Sequence, residues 1–276
     1  MARKIIVLIG SKGNIGKVLL EKLYASKFEI AAIESSASLD TLRNLGSANL
    51  IVNAANRYFP NPTEDQILLM EHSIIGLAES IVKEAIRLNC PILHLSSYFQ
   101  YPPKALAPWS EYSDFKNRAV VLYQNATKEI GLSNFEVILY DNFGGTRGGK
   151  ILDLFIESGK KNLEIEATGG DSVLNYSYID DIADALKNII EEIFTLKDKT
   201  VFKWQLRGPN DYTLKQLDMI IMNVLNRPTK VIWGAKPYRK KEVFEIWNCA
   251  QNWPHFKSTM SLEEYISNEI KNEIRI

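Results

Sequence analysis

Runs of consecutive apolar residues alternate along this chain with stretches of helical periodicity. Ile5-Ile6-Val7-Leu8-Ile9 is wholly apolar and mostly β-branched, and reads as a strand buried on both faces. Residues 17–24 follow with Val18, Leu19 and Leu23 as the apolar side of a helix. Further strands are expected over 28–33, 49–53, 91–95, 135–139, 163–167 and 201–206. Helices are expected over 66–89, 112–129, 151–158, 180–194, 214–225 and 262–274, with a short helical or irregular link over 39–45. The interval between the second and third strands is short, so one usual βα step is trimmed or absent. Alternating βα units followed by a mixed region predict an α/β fold: a doubly wound parallel sheet with a smaller C-terminal α/β lobe.

The turn after the first strand carries glycines at Gly10, Gly13 and Gly16. A strand that passes through spaced glycines into a helix is the phosphate-binding opening of a Rossmann unit. Gly10 permits the tight turn, Gly13 lets the backbone approach a pyrophosphate, and Gly16 lets the helix pack against the strand. The helix N-terminus, from Asn14 and Ile15 onward, then presents N–H groups to the phosphates. Glu34 ends the second strand about twenty residues on, where an acid accepts hydrogen bonds from the adenosine ribose and favours NAD. Lys12, inside the loop, favours a 2′-phosphate. The expected cofactor is therefore NAD(P)(H), with NAD against NADP unresolved. Asn53-Ala54-Ala55, at the end of the third strand, leaves room for a ligand in the crevice outside the strand ends.

Composition narrows the class without adding chemistry. The 276 residues are 46% apolar and 24% charged, with 33 basic and 33 acidic side chains. That balance points to a soluble globular protein with no nucleic-acid polymer or membrane as partner. Arg3 and Lys4 precede an apolar run, but the run stops at Gly10, too short for a signal peptide. Cys90 and Cys249 form no metal or redox motif, so no metal is expected and a reduced cytoplasmic setting fits.

Tyr112-Ser113-Asp114-Phe115-Lys116 supplies the candidate chemistry. On a helix, Tyr112 and Lys116 lie on one face. A neighbouring ammonium stabilises a phenolate and lowers its pKa, which turns a poor acid–base group into a useful one. The Lys also reaches nicotinamide ribose hydroxyls. Ser97 ends the strand just before, and its hydroxyl suits hydrogen bonding to the substrate oxygen on which the Tyr acts.

Taken in order, Gly10-x-x-Gly13-x-x-Gly16, Asn53-Ala54-Ala55, Ser97, Tyr112-x-x-x-Lys116 and Asn142-Phe143-Gly144 resemble the extended short-chain dehydrogenase/reductases, the NAD-dependent epimerase/dehydratase family. Residues 175–183 are similar to the family's aromatic-rich strand running into an Asp-led helix. The resemblance implies a Rossmann domain over 1–145 plus about 174–206, and a substrate-binding lobe over 146–173 and 207–276. It implies sugar-nucleotide substrates, Tyr112 as general acid or base, Lys116 tuning it and holding the ribose, and Ser97 orienting the reacting oxygen. Asn142 is then a substrate contact near the phosphates. The family often has an Arg ahead of the Asp-led helix to clamp the diphosphate. Leu174 and Asn175 stand there instead, which leaves Arg147, Lys150 or Arg207 as substitutes, since a bidentate Arg suits phosphate. Tyr98-Phe99 follow Ser97 where the 4,6-dehydratases carry an Asp-Glu pair, so dehydration is not expected. The compact build resembles the dTDP-4-dehydrorhamnose reductase and CDP-3,6-dideoxyhexose synthase types. An NAD(P)H-dependent reductase of a 4-keto-(di)deoxy sugar nucleotide is the leading expectation, an NAD-dependent 4-epimerase the alternative, and a non-catalytic dinucleotide-binding regulator the second alternative. The long helices also suit a homodimer, which the sequence does not separate from a monomer.

Overall fold

The computed structural model describes residues 3–34, 39–104, 110–145, 150–196, 201–239 and 241–272. In chain order the first elements are β1 (Ile5–Ile9), α1 (Asn14–Tyr24), β2 (Glu29–Ile33), α2 (Leu39–Arg43), β3 (Leu50–Asn53) and α3 (Glu64–Glu71). A π-helical turn (His72–Gly76) leads into α4 (Leu77–Leu88), followed by β4 (Ile92–Ser97), α5 (Glu111–Ile130) and β5 (Asn134–Leu139). Then come β6 (Asp141–Phe143), α6 (Ile151–Lys161), β7 (Glu164–Glu166), β8 (Val173–Tyr178), α7 (Ile179–Ile193) and β9 (Val201–Leu206). The last are β10 (Asp211–Thr213), α8 (Leu214–Leu225), β11 (Lys230–Ile232), β12 (Gln251–Asn252) and α9 (Leu262–Asn272).

The chain divides into two compact units. Met1–Leu139, Ile182–Leu206 and Asn248–Phe256 form the first, and Tyr140–Asp181, Arg207–Trp247 and Lys257–Ile276 the second. In the first unit seven strands pair in the order β12-β9-β5-β4-β3-β1-β2, every pairing parallel. The direction of winding reverses between β1 and β3, which creates the switch point at which such sheets bind ligands. The trimmed step of the sequence shows as β2 at the sheet edge.

Period-two alternation sorts the strand residues onto two faces. Leu8, Val52, Leu93, Leu95 and Val137 join Leu19 and Leu23 of α1 and Ile182, Leu186 and Ile189 of α7 in one core. Val7, Ile9, Ile51 and Ile92 join Ala78 and Ile81 of α4 and Phe115, Ala119 and Tyr123 of α5 in the other. The single helix expected over 66–89 is instead three segments, because the His72–Gly76 turn adds a residue to the helical repeat and re-aims the flanking faces. Helix α5 is capped by Ser110, whose side chain accepts from the Ser113 N–H, and stops at Gly131 in a left-handed conformation.

In the second unit β8 lies between β6, parallel to it, and β10, antiparallel, while β11 pairs with β7. Phe143, Phe155, Leu217, Ile221 and Ile266 lead its core. The sequence reading assigns β6 and β8 to the nucleotide-binding domain. They belong to the second unit because they pair with each other and with β10, outside the seven-stranded sheet. The short strands β6, β10, β11 and β12 escape periodicity, since two or three residues display no repeat. Among the described residues no helix is long and apolar enough to cross a membrane.

Candidate active site

The glycine turn is built for close approach. Gly10 has φ +86°, and a Cβ there would sit 2.6 Å from the Ala55 nitrogen. Its N–H donates to the Ile33 carbonyl at 2.8 Å, tying the turn to β2. A Cβ on Gly16 would lie 2.1 Å from the Gly10 oxygen, so α1 touches the turn backbone directly. A Cβ on Gly13 would meet only the Gly10 oxygen, at 3.1 Å, and otherwise open space. Gly13 caps α1, and the Lys17 N–H closes the first helical bond on its carbonyl at 2.9 Å. The amides ahead of Lys17, at Asn14, Ile15 and Gly16, form the positive end of the helix. This cradle at the switch point fits a dinucleotide pyrophosphate.

Lys12 and Glu34, the two opposed cues for cofactor choice, are ion-paired to each other at 2.6 Å with side chains 70% and 55% exposed. An exposed pair of this kind holds weakly and parts at little cost. Asn53 is buried; its Nδ2 donates to the Tyr123 hydroxyl at 2.9 Å and its Oδ1 accepts from the Ala55 N–H at 3.1 Å. It thereby fixes the Ala54-Ala55 segment that abuts Gly10.

Ser97, Tyr112 and Lys116 come together in the same unit, at the ends of β4 and α5. Ser97 caps the short turn Tyr98–Gln100, its Oγ accepting from the Phe99 N–H at 3.4 Å. The same hydroxyl hydrogen-bonds the Tyr112 phenol. Tyr112 is buried, and its hydroxyl accepts from Asn56 Nδ2 at 2.6 Å. Its ring meets Tyr58 edge to face, with centroids 5.0 Å apart. Burial pushes the phenol above its ordinary range, while the Asn56 and Ser97 hydrogen bonds pull the other way. Lys116 is buried too, and its Nζ donates to the Leu95 carbonyl at 2.6 Å. Burial lowers the Lys116 ammonium to about 8, against the Glu136 carboxylate, which raises it.

Burial is the largest influence on the Tyr112 phenol, and the groups that pull against it in this structure are Asn56 and Ser97. Asn56 and Tyr58 are site residues that the sequence reading did not single out. Asn56 directly extends the Asn53-Ala54-Ala55 run, and that position was the available sign. Replacing Asn56 with Ala removes the donor that stabilises the phenolate form. Turnover is expected to fall about tenfold, the effect of one hydrogen bond, and the alkaline limb of the kcat/KM profile should move to higher pH. An unmoved limb would show that Asn56 does not tune Tyr112.

The second unit holds the other predicted contacts. Asn142, on β6, accepts from Lys150 Nζ through its carbonyl at 2.8 Å and also through its side-chain oxygen. Burial lowers the Lys150 ammonium, with Asp141 and Asp153 opposing. Arg207 is paired with Asp211 at 2.6 Å, and its guanidinium lies 5.9 Å from the Tyr140 ring centroid. Arg207 is therefore engaged within its own unit. Arg147 lies outside the described residues. Asn175, where the family often has an Arg, is fully buried and brackets the chain. It donates to the carbonyls of Gly208 and Asn210 and to Asp211, and accepts from the Gly208 N–H.

Comparison with known proteins agrees with this geometry. The family model described as NAD dependent epimerase/dehydratase family matches residues 6–203. CDP-abequose synthase of Yersinia pseudotuberculosis is 27% identical over 301 residues, covering 96% of this chain and 99% of that protein. The fold is similar to that of UDP-glucose 4-epimerase from Thermotoga maritima, solved with UDP-glucose. There the TM-score is 0.81 at 16% identity, over 98% of this chain and 99% of the other. It is also similar to a GDP-6-OMe-4-keto-L-xylo-heptose reductase from C. jejuni, with TM-score 0.78 at 12% identity over 100% and 99% of the two chains. Other solved structures of the same fold hold NAD or NADP.

Proposed function

The chain belongs to the NAD dependent epimerase/dehydratase family, NAD(P)-dependent enzymes that modify sugar nucleotides, and from that premise we propose that it reduces the 4-keto group of a deoxy sugar nucleotide. The observation that carries this reading is the state of Tyr112. Burial holds its proton on the phenol, and two neutral hydrogen-bond partners flank the oxygen. A reaction that begins by giving a proton to a carbonyl oxygen uses the form that burial favours.

Gly10, Gly13, Gly16 and the α1 N-terminus would hold the pyrophosphate of a nicotinamide cofactor, which when bound supplies the hydride. Ser97 orients the keto oxygen by donating a hydrogen bond. Tyr112 transfers its phenolic proton to that oxygen as negative charge develops there, a contribution typically worth about 10²–10⁴ in rate. Lys116, an ammonium at neutral pH, stabilises the phenolate left behind and reaches the cofactor ribose. Within the second unit, Asn142 and Lys150 are the polar groups whose chemistry suits a phosphate. Dehydration is disfavoured because Tyr98 is buried in packing and Phe99 stacks on it at 4.3 Å, so neither position offers a carboxylate. The relative named CDP-abequose synthase supports a CDP-linked deoxy sugar as the first substrate to try. Epimerisation is the second reading, supported by the likeness to UDP-glucose 4-epimerase and by a Ser–Tyr–Lys set that serves both reactions.

The test is a panel of CDP-, dTDP-, GDP- and UDP-linked 4-keto-deoxy sugars with NADH or NADPH. One equivalent of reduced cofactor oxidised per sugar nucleotide consumed is the expected result. Interconversion of two sugar nucleotides with no net cofactor oxidation would replace it with the epimerase reading.

A further inference from the structure

The α5-facing side of the parallel sheet carries a row that a doubly covered sheet does not ordinarily contain. Asn53 on β3 is in register with His94 on β4, His94 with Glu136 on β5, and Glu136 with Lys203 on β9. Four neighbouring strands thus place polar or charged residues side by side. The opposite face of the same strands is apolar, with Val52, Leu93, Leu95, Phe135 and Val137 in the core. His94 is 2% exposed and Glu136 is 5% exposed.

Each member has a defined contact. The Tyr101 hydroxyl donates to Glu136 Oε1, and Lys203 Nζ lies 3.3 Å from the centroid of the Tyr101 ring. The His94 ring stacks on Tyr123 with centroids 4.6 Å apart, and its Nδ1 is 3.4 Å from Ser96 Oγ. Lys116 descends on this row from α5. With Asn53, His94, Ser96 and Tyr123 it lines a cavity of about 10 Å³, the room that a single water takes.

A carboxylate buried this deeply is costly unless cations answer it. Two stand near, Lys116 and Lys203. His94 between them carries no charge at neutral pH. Burial lowers it to about 4, with Lys116 and Lys203 adding to the effect and Glu136 opposing. Tyr123 from its own helix, Asn53 from β3 and His94 and Ser96 from β4 share the cavity with Lys116, Tyr112 stands one turn before it on α5, and beyond His94 in the strand row come Glu136 on β5 and then Lys203 on β9. Ser73 of the π-helical turn lines the same cavity, and Tyr101 follows β4 beside Cys249. Among these, Glu136 is the carboxylate.

We propose that Glu136 is a positioning residue for the Tyr112–Lys116 pair: from the strand row packed against α5, its carboxylate supplies the negative charge that keeps the buried Lys116 an ammonium. This rests on the catalytic reading of Lys116 given above. It adds a residue that touches neither substrate nor cofactor and that acts only through Lys116.

The test is an NMR titration of the full-length protein labelled with 13Cε-lysine, with the Lys116 resonance assigned by its loss in Lys116→Met. The wild-type midpoint is expected near 8. Glu136→Gln keeps an oxygen for the Tyr101 hydroxyl but removes the charge. Its midpoint should fall by about one pH unit or more, the effect of losing a nearby opposite charge, so that half or more of Lys116 is neutral at pH 7. Glu136→Asp keeps the charge and should stay close to wild type. Glu136→Met also removes the charge at a similar volume, and its midpoint should fall likewise, which keeps the readout if Glu136→Gln does not fold. An unchanged midpoint in Glu136→Gln or Glu136→Met, or an equal fall in Glu136→Asp, would overturn the proposal. None of these titrations needs substrate. A Tyr112→Phe variant with undiminished turnover would therefore sink the catalytic reading separately.

Discussion

Replacing Tyr112 with Phe is expected to lower kcat by about 10²–10⁴-fold while leaving the affinity for NADH or NADPH within about threefold of wild type, since one weak contact is all that the change removes from the cofactor side. The reason is local. The ring remains to pack against Tyr58, so the helix face keeps its shape. The lost atom is the oxygen that accepts from Asn56 at 2.6 Å and meets Ser97. Unfolding stability should drop by no more than about 1 kcal/mol, because Asn56 is exposed and its amide turns to water when the phenol oxygen is gone. Cofactor titration by nicotinamide fluorescence, a thermal melt and turnover on the best substrate of the panel separate these effects. A variant that binds cofactor, melts near wild type and still turns over at the wild-type rate would end the case for Tyr112 as the acid.

How much of this was legible in the sequence depended on which residues carried a local repeat. The apolar run of β1 and its glycines were readable, because a buried parallel strand is continuously apolar and the turn leaves a spaced signature. The i, i+4 pair of Tyr112 and Lys116 was readable because a helix puts both on one face. The influence between them was not. It depends on how far Tyr112 is buried and on where the Lys116 ammonium points, and those are tertiary facts. The polar row was partly written in the chain. His94 and Ser96, Asn134 and Glu136, and Lys203 and Gln205 each alternate with apolar neighbours inside strands otherwise built for burial. Three such alternations point to one polar face only after the strands are known to be neighbours in register, which no single strand reveals. The pairing of Arg207 was hidden for a similar reason: its partner Asp211 lies across a turn whose short strand has no repeat to read.

Replacing Gly16 with Ala is expected to damage both the fold and the cofactor site, and comparison with Gly13→Ala separates the two. The added methyl at Gly16 would lie 2.1 Å from the Gly10 oxygen and 2.9 Å from the Gly10 carbonyl carbon. Both obstacles are backbone, so relief requires α1 to move away from β1. Overpacking of this kind costs about 1–3 kcal/mol, or a fall of roughly 2–12 °C in Tm for a chain of this size. The same displacement pulls the helix N-terminus off the position in which Gly10, Gly13 and the first amides share one concave surface, so cofactor affinity should fall by about tenfold or more, roughly 1.4 kcal/mol. Gly13→Ala behaves differently. Gly13 has ordinary extended dihedrals, φ −67° and ψ 164°, and its added methyl meets one oxygen at 3.1 Å and otherwise open space. Stability should fall by about 1 kcal/mol at most, the difference between Gly and Ala at a helix cap, while cofactor affinity falls because the methyl enters the space a pyrophosphate needs. Thermal melts and cofactor titrations of the two variants decide the matter. If Gly13→Ala binds NADH and NADPH as wild type does, the open face of the turn is not the phosphate site. If Gly16→Ala melts as wild type does, the contact between α1 and the turn is not what fixes the cradle.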